Sequence, residues 1–200
     1  MTGSNNNCLS KNVVFYDTWL PLDKKYFRVL AWVTHLGGSF HGNLTDLCEL
    51  MGISSQTKNR NNIKTVIQQL VDQGFLAVKQ HRRDLDICLI PKGAEIPLEL
   101  RGAQAILRHE YHTAHVSPEY VLKTLLWIAR NNAQHNTSPV TDQMICEDLN
   151  ISISTLGLAK NVLSNELHAI SRRVIGELNS FGQPRTLGQS LEICAWWYGS

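Results

Sequence analysis

A run of polar side chains between residues 55 and 64 carries hydrogen-bonding groups that could contact a nucleic acid. Amide, hydroxyl and basic side chains follow one another there almost without interruption. Arginine pairs bidentately with guanine, amides pair with adenine, and both lysine and arginine contact phosphates. A polar helix face that contacts only water is the alternative interpretation. The candidate contacts to double-stranded DNA are Ser55, Gln56, Thr57, Lys58, Asn59, Arg60, Asn61 and Lys64.

Basic side chains are concentrated around this run and in the segment that follows it. Between residues 54 and 83 six lysines and arginines stand against one acidic residue, Asp72, although the whole chain carries a formal charge of only +2. A local excess of positive charge is the electrostatic signature of phosphate contact. Lys79, Arg82 and Arg83 therefore join the candidate DNA contacts, although the two arginines could also be ordinary surface residues.

The surrounding pattern predicts the elements that must position these side chains. A short helix from about Thr45, taken as its N-cap, ends at Gly52. A second helix over residues 54–73 follows a tight turn and carries an apolar stripe at helical spacing. A strand then begins at Phe75, and a polar tip at residues 81–84 leads into an alternating return strand. The stripe consists of Ile63, Val66, Ile67, Leu70 and Val71.

This order of elements resembles the winged helix-turn-helix family of DNA-binding domains. The resemblance rests on the L-x-x-L pattern of the first helix, the Gly52-Ile53-Ser54 turn, the long second helix and the Gly74-Phe75-Leu76 strand start. It covers residues 22–90, with a supporting helix that begins after Asp23. The resemblance implies that the second helix enters the DNA major groove and that the hairpin contacts the flanking backbone.

The order of predicted elements repeats in the second half of the chain, where the pattern is weaker. Ser117 and Pro118 predict the start of a supporting helix. The sequence VTDQMICEDLNIS, from Val140, is similar to NLTDLCELMGISS, from Asn43. A second hairpin is expected over residues 170–178 and 187–196, although one long helix from Ser154 to Leu178 would also fit the periodicity. The candidate DNA contacts in this half are Lys160, Asn161, Arg172, Arg173 and Arg185.

These patterns predict a mainly α fold with small β-hairpins, built as two tandem winged helix-turn-helix domains. The expected boundaries are a flexible tail over residues 1–12, a first domain over 13–92, a linker with a helix over 93–116, and a second domain over 117–200. The helix in the linker is expected from Gln104 to about His112.

Other classes of protein find little support in the sequence. No nucleophile–base pair, phosphate-binding glycine loop or carboxylate dyad is present, so we expect neither an enzyme nor a cofactor. The five cysteines are scattered, and His112 and His115 do not form a metal-binding motif, so reduced thiols and no metal are expected. The absence of a long apolar run or an apolar leader predicts a cytoplasmic protein without membrane contact.

The repeated arrangement resembles plasmid replication initiators and, more loosely, phage replisome organisers. That resemblance implies sequence-specific binding to double-stranded DNA and initiation of replication at origin repeats. Two alternatives remain open. The chain could be a transcriptional regulator that binds a palindrome as a homodimer. It could also be a non-enzymatic inhibitor or adaptor that binds a host replication or regulatory protein.

Overall fold

The computed structural model describes residues 12–113, 115–134, 139–181 and 183–198. The predicted flexible tail lies outside these ranges except for Asn12, which begins the first strand. The described helices are α1 (Lys24–His35), α2 (Leu44–Leu50), α3 (Thr57–Asp72), α4 (Leu100–Leu107), α5 (Pro118–Ala133), α6 (Asp142–Leu149) and α7 (Ile153–Asn161). The described strands are β1 (Asn12–Tyr16), β2 (Ser39–Gly42), β3 (Leu76–His81), β4 (Asp84–Leu89), β5 (Glu95–Glu99), β6 (Ile170–Leu178) and β7 (Pro184–Ile193).

The strands form three small antiparallel sheets within the described residues. Strand β1 pairs with β5, so that Phe15 lies opposite Ile96. The second sheet has the order β2-β4-β3, and the third consists of β6 and β7. The first sheet pairs strands that are far apart in the sequence, and the third pairs the two longest strands. Strands β3 and β4 form a tight hairpin.

The predicted fold class is wrong. Over the described residues about half of the chain is helical and about a quarter is strand, so the fold is a mixture of α and β elements and is not mainly α. Two strands were not predicted from the sequence: β2, which has only four residues, and β5, which contains Pro97. Both are short segments stabilised by partners distant in sequence, and local periodicity does not reveal such pairing.

A similar order of elements nevertheless occurs twice. Residues 24–89, the first repeat, run α1, β2, α2, α3, β3 and β4. Residues 118–193, the second repeat, run α5, α6, α7, β6 and β7, and Val140 takes the place of β2 by bridging to Gln189. A π-helical turn at Val162–Glu166 follows α7, and β6 then begins at Ile170. The alternative of one long helix over residues 154–178 is therefore wrong.

The segment between the repeats belongs to the core. Residues 93–116, predicted as a linker with a helix, contain β5 and α4, and Ile96, Leu98 and Ile106 are buried. Helix α4 begins at Leu100, earlier than expected, because the Glu99 carboxylate caps it by accepting a hydrogen bond from a backbone N–H of its first turn. Buried apolar residues of both repeats and of this segment form one continuous cluster.

Helix α5 joins the two repeats through buried charged side chains. Glu119 accepts a hydrogen bond from the guanidinium group of Arg28 on α1. The ammonium group of Lys123 donates to the carbonyl oxygens of Leu22 and Leu149, each at 2.8 Å. Because Leu22 precedes α1 and Leu149 ends α6, this one side chain satisfies carbonyl groups from both sides of the junction.

A short 3₁₀ turn at Ala195–Tyr198 closes the core over α4. Trp197 is buried, and its ring lies against Gly102. A Cβ atom at position 102 would come within 2.3 Å of that ring, so only glycine fits there without a rearrangement. The predicted second strand of the hairpin, over residues 187–196, therefore ends earlier than expected, at Ile193, and one tryptophan of the helical turn that follows fills the core.

Candidate nucleic-acid interface

A capping box fixes the start of α2, the helix that precedes the turn into α3. The side-chain oxygen of Asn43 accepts hydrogen bonds from the backbone N–H groups of Thr45 (2.8 Å) and Asp46 (3.2 Å), and Asp46 accepts one in return from Asn43 N–H (2.9 Å). The predicted cap at Thr45 is therefore wrong by two residues, because Asn43 satisfies the free N–H groups. Gly52, with φ of 65°, then ends the helix as predicted.

Helix α3 is held against the body by its apolar stripe and by one hydrogen bond. The Tyr26 hydroxyl on α1 donates to the side-chain oxygen of Gln69 at 2.7 Å. The helix begins at Thr57, after an extended Gln56, and not at residue 54 as predicted. These contacts fix which face of α3 is turned outward. The residues that α3 buries completely or nearly so are Ile63, Val66, Ile67 and Leu70.

Two of the candidate DNA contacts are already used inside the molecule. The side-chain amide of Asn59 donates to the carbonyl oxygen of Ser54 at 2.8 Å, which ties the first turn of α3 to the preceding loop. The guanidinium group of Arg60 donates to the Thr57 hydroxyl at 3.3 Å. Asn59 thus has a structural reason to stand in a helix, and base contact is not needed to explain it.

The remaining polar residues leave an outward-facing group on α3. Lys58, Asn61 and Lys64 are exposed and lie away from the buried stripe. Within the described residues their side chains have no hydrogen-bond partner, so their donors and acceptors are satisfied by solvent. Gln56 and Thr57 are exposed at the start of the helix, and Ser55 is half-buried before it.

The β3–β4 hairpin carries three further candidates on its surface. Its tip is the two-residue turn Arg82-Arg83, in which Arg82 has a positive φ of 58°. The Gln80 amide donates to the Arg82 carbonyl oxygen at 3.2 Å and so braces this turn. Both arginines and Lys79 are exposed. The tip therefore presents two adjacent guanidinium groups.

A charged cluster on the same sheet was not found from the sequence. The Asp86 carboxylate of β4 contacts His41 of β2, and its other oxygen lies 3.0 Å from His81 of β3. The hydrogen bond and the charge of Asp86 raise the pKa of His41 above its usual value, and the same hydrogen bond lowers the pKa of Asp86. The only signal in the sequence was the alternation of polar and apolar residues in β4. The pairing of β2 with β4, which brings His41 to Asp86, was not predicted.

In the second repeat one candidate is not on the surface. Lys160 is only 4% exposed, and its ammonium group lies 2.6 Å and 2.8 Å from the two carboxylate oxygens of Asp142. Its assignment as a DNA contact is wrong, because this buried side chain is held by the half-buried carboxylate of Asp142 and cannot reach a phosphate. The prediction failed because Lys160 was assigned to the polar side of a helix, and the orientation of that helix depends on its packing against β7.

The other candidates of the second repeat are exposed but lie on different elements. Asn161 ends α7, and its side-chain oxygen accepts a hydrogen bond from the Asn165 amide at 2.6 Å. Arg172 and Arg173 lie on β6 and Arg185 on β7. The exposed part of α7 therefore has no basic side chain, in contrast to α3. The cations of this half lie on its hairpin.

Two acidic residues of the second repeat, Glu166 and Asp148, have structural partners. Glu166 accepts hydrogen bonds from the backbone of His112 and from Thr113, and Asp148 accepts them from Trp127 (2.7 Å) and Arg130 (2.8 Å). These contacts hold the segment before α5 and the end of α6 in place. The carboxylates of Glu166 and Asp148 therefore stabilise the fold of the second repeat.

Three further observations bear on the class of protein. In the described ranges, no three histidine, cysteine, aspartate or glutamate residues are grouped so that they could hold a metal ion. No helix among the described residues is both long enough and apolar enough to cross a membrane. Comparison of the chain with family models, with curated proteins and with solved structures finds no match.

Proposed function

We propose that this chain binds double-stranded DNA through α3 and the β3–β4 hairpin, in the manner of a winged helix-turn-helix domain. In this arrangement α3 lies in the major groove and the hairpin tip contacts the flanking backbone. The observation that carries the proposal is the outward group on α3, in which Lys58, Asn61 and Lys64 are exposed and have no partner among the described residues.

The division of roles on α3 supports the proposal. An interface helix needs one face that is fixed to the protein and another whose donors are free. Here the buried stripe and Tyr26 fix the helix, and Asn59 fixes its first turn. The side chain of Asn61 remains available to hydrogen-bond a base edge, while the two exposed lysines can contact phosphates on either side.

The hairpin supplies the second part of the support. Arg82 and Arg83 occupy a tight turn at its end, and Lys79 is exposed on the strand that leads to it. Basic side chains at such a tip suit the phosphate backbone or a narrow minor groove. Together with Lys58 and Lys64 they make five cations on two consecutive elements, which corresponds to about four to six neutralised phosphates.

Fluorescence anisotropy with a random duplex across a salt series tests the proposal. Neutralising about five phosphates gives a log–log slope of affinity against salt near −4 to −5. The double variant Lys58→Ala with Lys64→Ala is expected to bind about tenfold or more weakly and to have a slope smaller by about two. The control, Lys24→Ala with Lys25→Ala, removes the same charge from exposed positions at the start of α1.

The outcome is decided by comparing the two double variants. An equal loss of affinity in both would mean that binding follows total charge and would contradict an interface on α3. No binding by the wild-type chain at low salt would contradict DNA binding altogether. In that case a search for a protein partner of the exposed α3 face becomes the appropriate next step.

We propose initiation of replication at origin repeats as the biological role, with regulation of transcription as the second candidate. The repeated order of elements supports successive contacts along one DNA, which suits direct repeats. A homodimer would instead suit a palindrome, because its two-fold symmetry matches that of the site. Selection of preferred sequences distinguishes the two, since direct repeats support initiation and inverted repeats support regulation.

A further inference from the structure

The hairpin of the second repeat extends apolar side chains into solvent. Val174 is 60% exposed, Leu178 70% and Phe181 86%. On β6 every residue from Ser171 to Leu178 is exposed except Ile175, which is half-buried, so neither face of this strand is covered. Within the described residues β6 has only one neighbour, β7, and its other edge carries no strand.

Such a ribbon is poorly stable by itself in water. A two-stranded sheet with both faces solvated is marginal, and a free strand edge presents unpaired backbone donors and acceptors to any complementary strand. Exposed apolar residues grouped on one element commonly mark an interaction surface. We therefore expect a partner that supplies a further strand to the free edge of this ribbon.

We propose that β6 pairs antiparallel with β6 of a second copy of this chain, about a two-fold axis at Ile175. In this register Ile175 faces its own equivalent, and Arg173 faces Glu177 of the second copy. The two-fold axis repeats that contact, so that two Arg–Glu pairs flank the central isoleucines. The register follows from the sequence spacing, since Arg173 and Glu177 lie two residues on either side of Ile175.

The charges of the ribbon complement one another in this register. Within one chain Glu177 lies opposite Arg185 of β7, and Arg173 lies opposite the neutral Ser190. A second copy would place Arg173 beside Glu177, so that one acidic residue lies between two basic ones across the four-stranded sheet. Opposite charges directly across an antiparallel pair are favourable, whereas like charges there are unfavourable.

The regular edge of the ribbon belongs to β6. Strand β7 carries an extra residue, Leu187, because Ile175 pairs with Gly188 while Gly176 pairs with Thr186. Strand β7 also exchanges two backbone hydrogen bonds with Val140 through Gln189, at 3.0 Å and 2.9 Å. The bulge and the bridge make β7 unsuitable for a long uniform pairing, which leaves β6 as the strand that a second copy can extend.

Sedimentation velocity of the full chain without DNA, over a wide concentration range, tests the proposal independently of DNA binding. The wild-type chain is expected to pass from monomer to dimer. Arg173→Glu and Glu177→Arg each place like charges opposite one another and are expected to weaken dimerisation about tenfold or more. Combining the two substitutions with Arg185→Glu recreates both ion pairs, and the pair between residues 177 and 185 within each chain, with reversed polarity, and is expected to restore the dimer.

The control is Glu192→Lys, which changes an exposed charge on β7 away from the two-fold axis and is expected to leave dimerisation unchanged. Circular dichroism confirms that each variant is folded. A wild-type chain that stays monomeric, or a dimer that neither single substitution weakens, overturns the proposal. Failure of the triple variant, folded but monomeric, to restore the dimer overturns it as well. A monomer in which Arg173→Glu weakens DNA affinity would assign the ribbon to DNA instead.

Discussion

The ammonium group of Lys160 lies between the two carboxylate oxygens of Asp142, at 2.6 Å and 2.8 Å, beneath the hairpin of the second repeat. Gln189 of β7 completes the group, with its side-chain oxygen 3.4 Å from the same ammonium. This arrangement links α6, α7 and β7. It also explains why the second repeat has no lysine available on the exposed part of α7.

Replacement of Lys160 by methionine is expected to lower the free energy of unfolding by about 2 to 4 kcal/mol, because Asp142 and Gln189 lose a buried partner. Urea denaturation measures this change. The DNA affinity of the folded variant is expected to match that of the wild-type chain. A stable Lys160→Met variant with weakened DNA binding would contradict the burial of this side chain.

Asn61 and Lys64 are expected to differ in how they affect DNA recognition. Asn61→Ala removes a candidate base contact and should reduce discrimination between sequences by about 1 to 3 kcal/mol. Lys64→Ala should weaken binding to all sequences about equally and lower the salt slope by about one. Competition with the selected site and with random duplex measures both quantities. Equal effects of the two variants on discrimination would argue against this division.

Stability is expected to depend on the protonation of His41. The Asp86 carboxylate raises the pKa of His41, so this contribution is complete below about pH 6.5 and is lost as the pH rises through the raised pKa. The pKa of Asp86 is lowered, so its contribution is lost only as the pH falls below about 4. In His41→Gln, the loss of stability between slightly acidic and slightly alkaline pH should be smaller than in the wild-type chain.

Urea midpoints at the two pH values measure the effect, and His115→Gln provides a control because this histidine is exposed outside the sheet. The same change of midpoint with pH in His41→Gln and in the wild-type chain would show that the contact with Asp86 does not contribute.

Lys123 is expected to make the chain more stable at alkaline pH. Burial lowers the pKa of this lysine to about 8, against the opposing charge of Asp23. The unfolded chain keeps the proton up to about pH 10.4, so between these values it binds more protons than the folded chain and stability rises with pH. Relative to Lys123→Met, the wild-type chain should gain up to about 3 kcal/mol between pH 7 and pH 10.

Urea unfolding of both proteins at each pH measures how the difference between their free energies of unfolding changes with pH. The contribution of the tyrosines is common to both proteins and cancels from this comparison. A difference that does not change with pH would mean that Lys123 stays charged in the fold through its two carbonyl contacts.

Gly102→Ala is expected to destabilise the chain by about 1 to 3 kcal/mol, because the added methyl group meets the ring of Trp197. Trp197→Leu removes the ring, so the double variant should be less unstable than the sum of the two single variants. Thermal or urea denaturation of the four proteins completes the cycle. Strictly additive losses would show that the two residues do not meet.

The sequence predicts those parts of the fold that local patterns control. The apolar stripe and the glycine after Asp72 placed α3, and Ser117 with Pro118 placed the start of α5, because these signals lie within a few residues of the elements they control. Strands β2 and β5 were missed because their partners, β4 and β1, lie far away in the sequence. Four or five residues alone carry too little periodicity to predict a strand.

The candidate interface shows the same limit. Exposure of Lys58 and Lys64 followed from their position outside the apolar stripe. The hydrogen bond from Asn59 to the Ser54 carbonyl depends on how a loop packs, and the ion pair of Lys160 with Asp142 depends on how a neighbouring helix packs. Polar residues are therefore easy to place on a helix face, but their partners are set by tertiary contacts that a helical pattern does not contain.

The closure of the core by β1 and Trp197 has a consequence for the order in which the chain can fold as it leaves the ribosome. Helix α4 and β5 lie in the middle of the sequence, yet β5 needs β1 from the beginning and α4 is covered by Trp197 near residue 200. The surface of α4 at Gly102 therefore stays uncovered until the second repeat and the Ala195–Tyr198 turn have been synthesised. This part of the core can therefore close only after the whole second repeat has been translated.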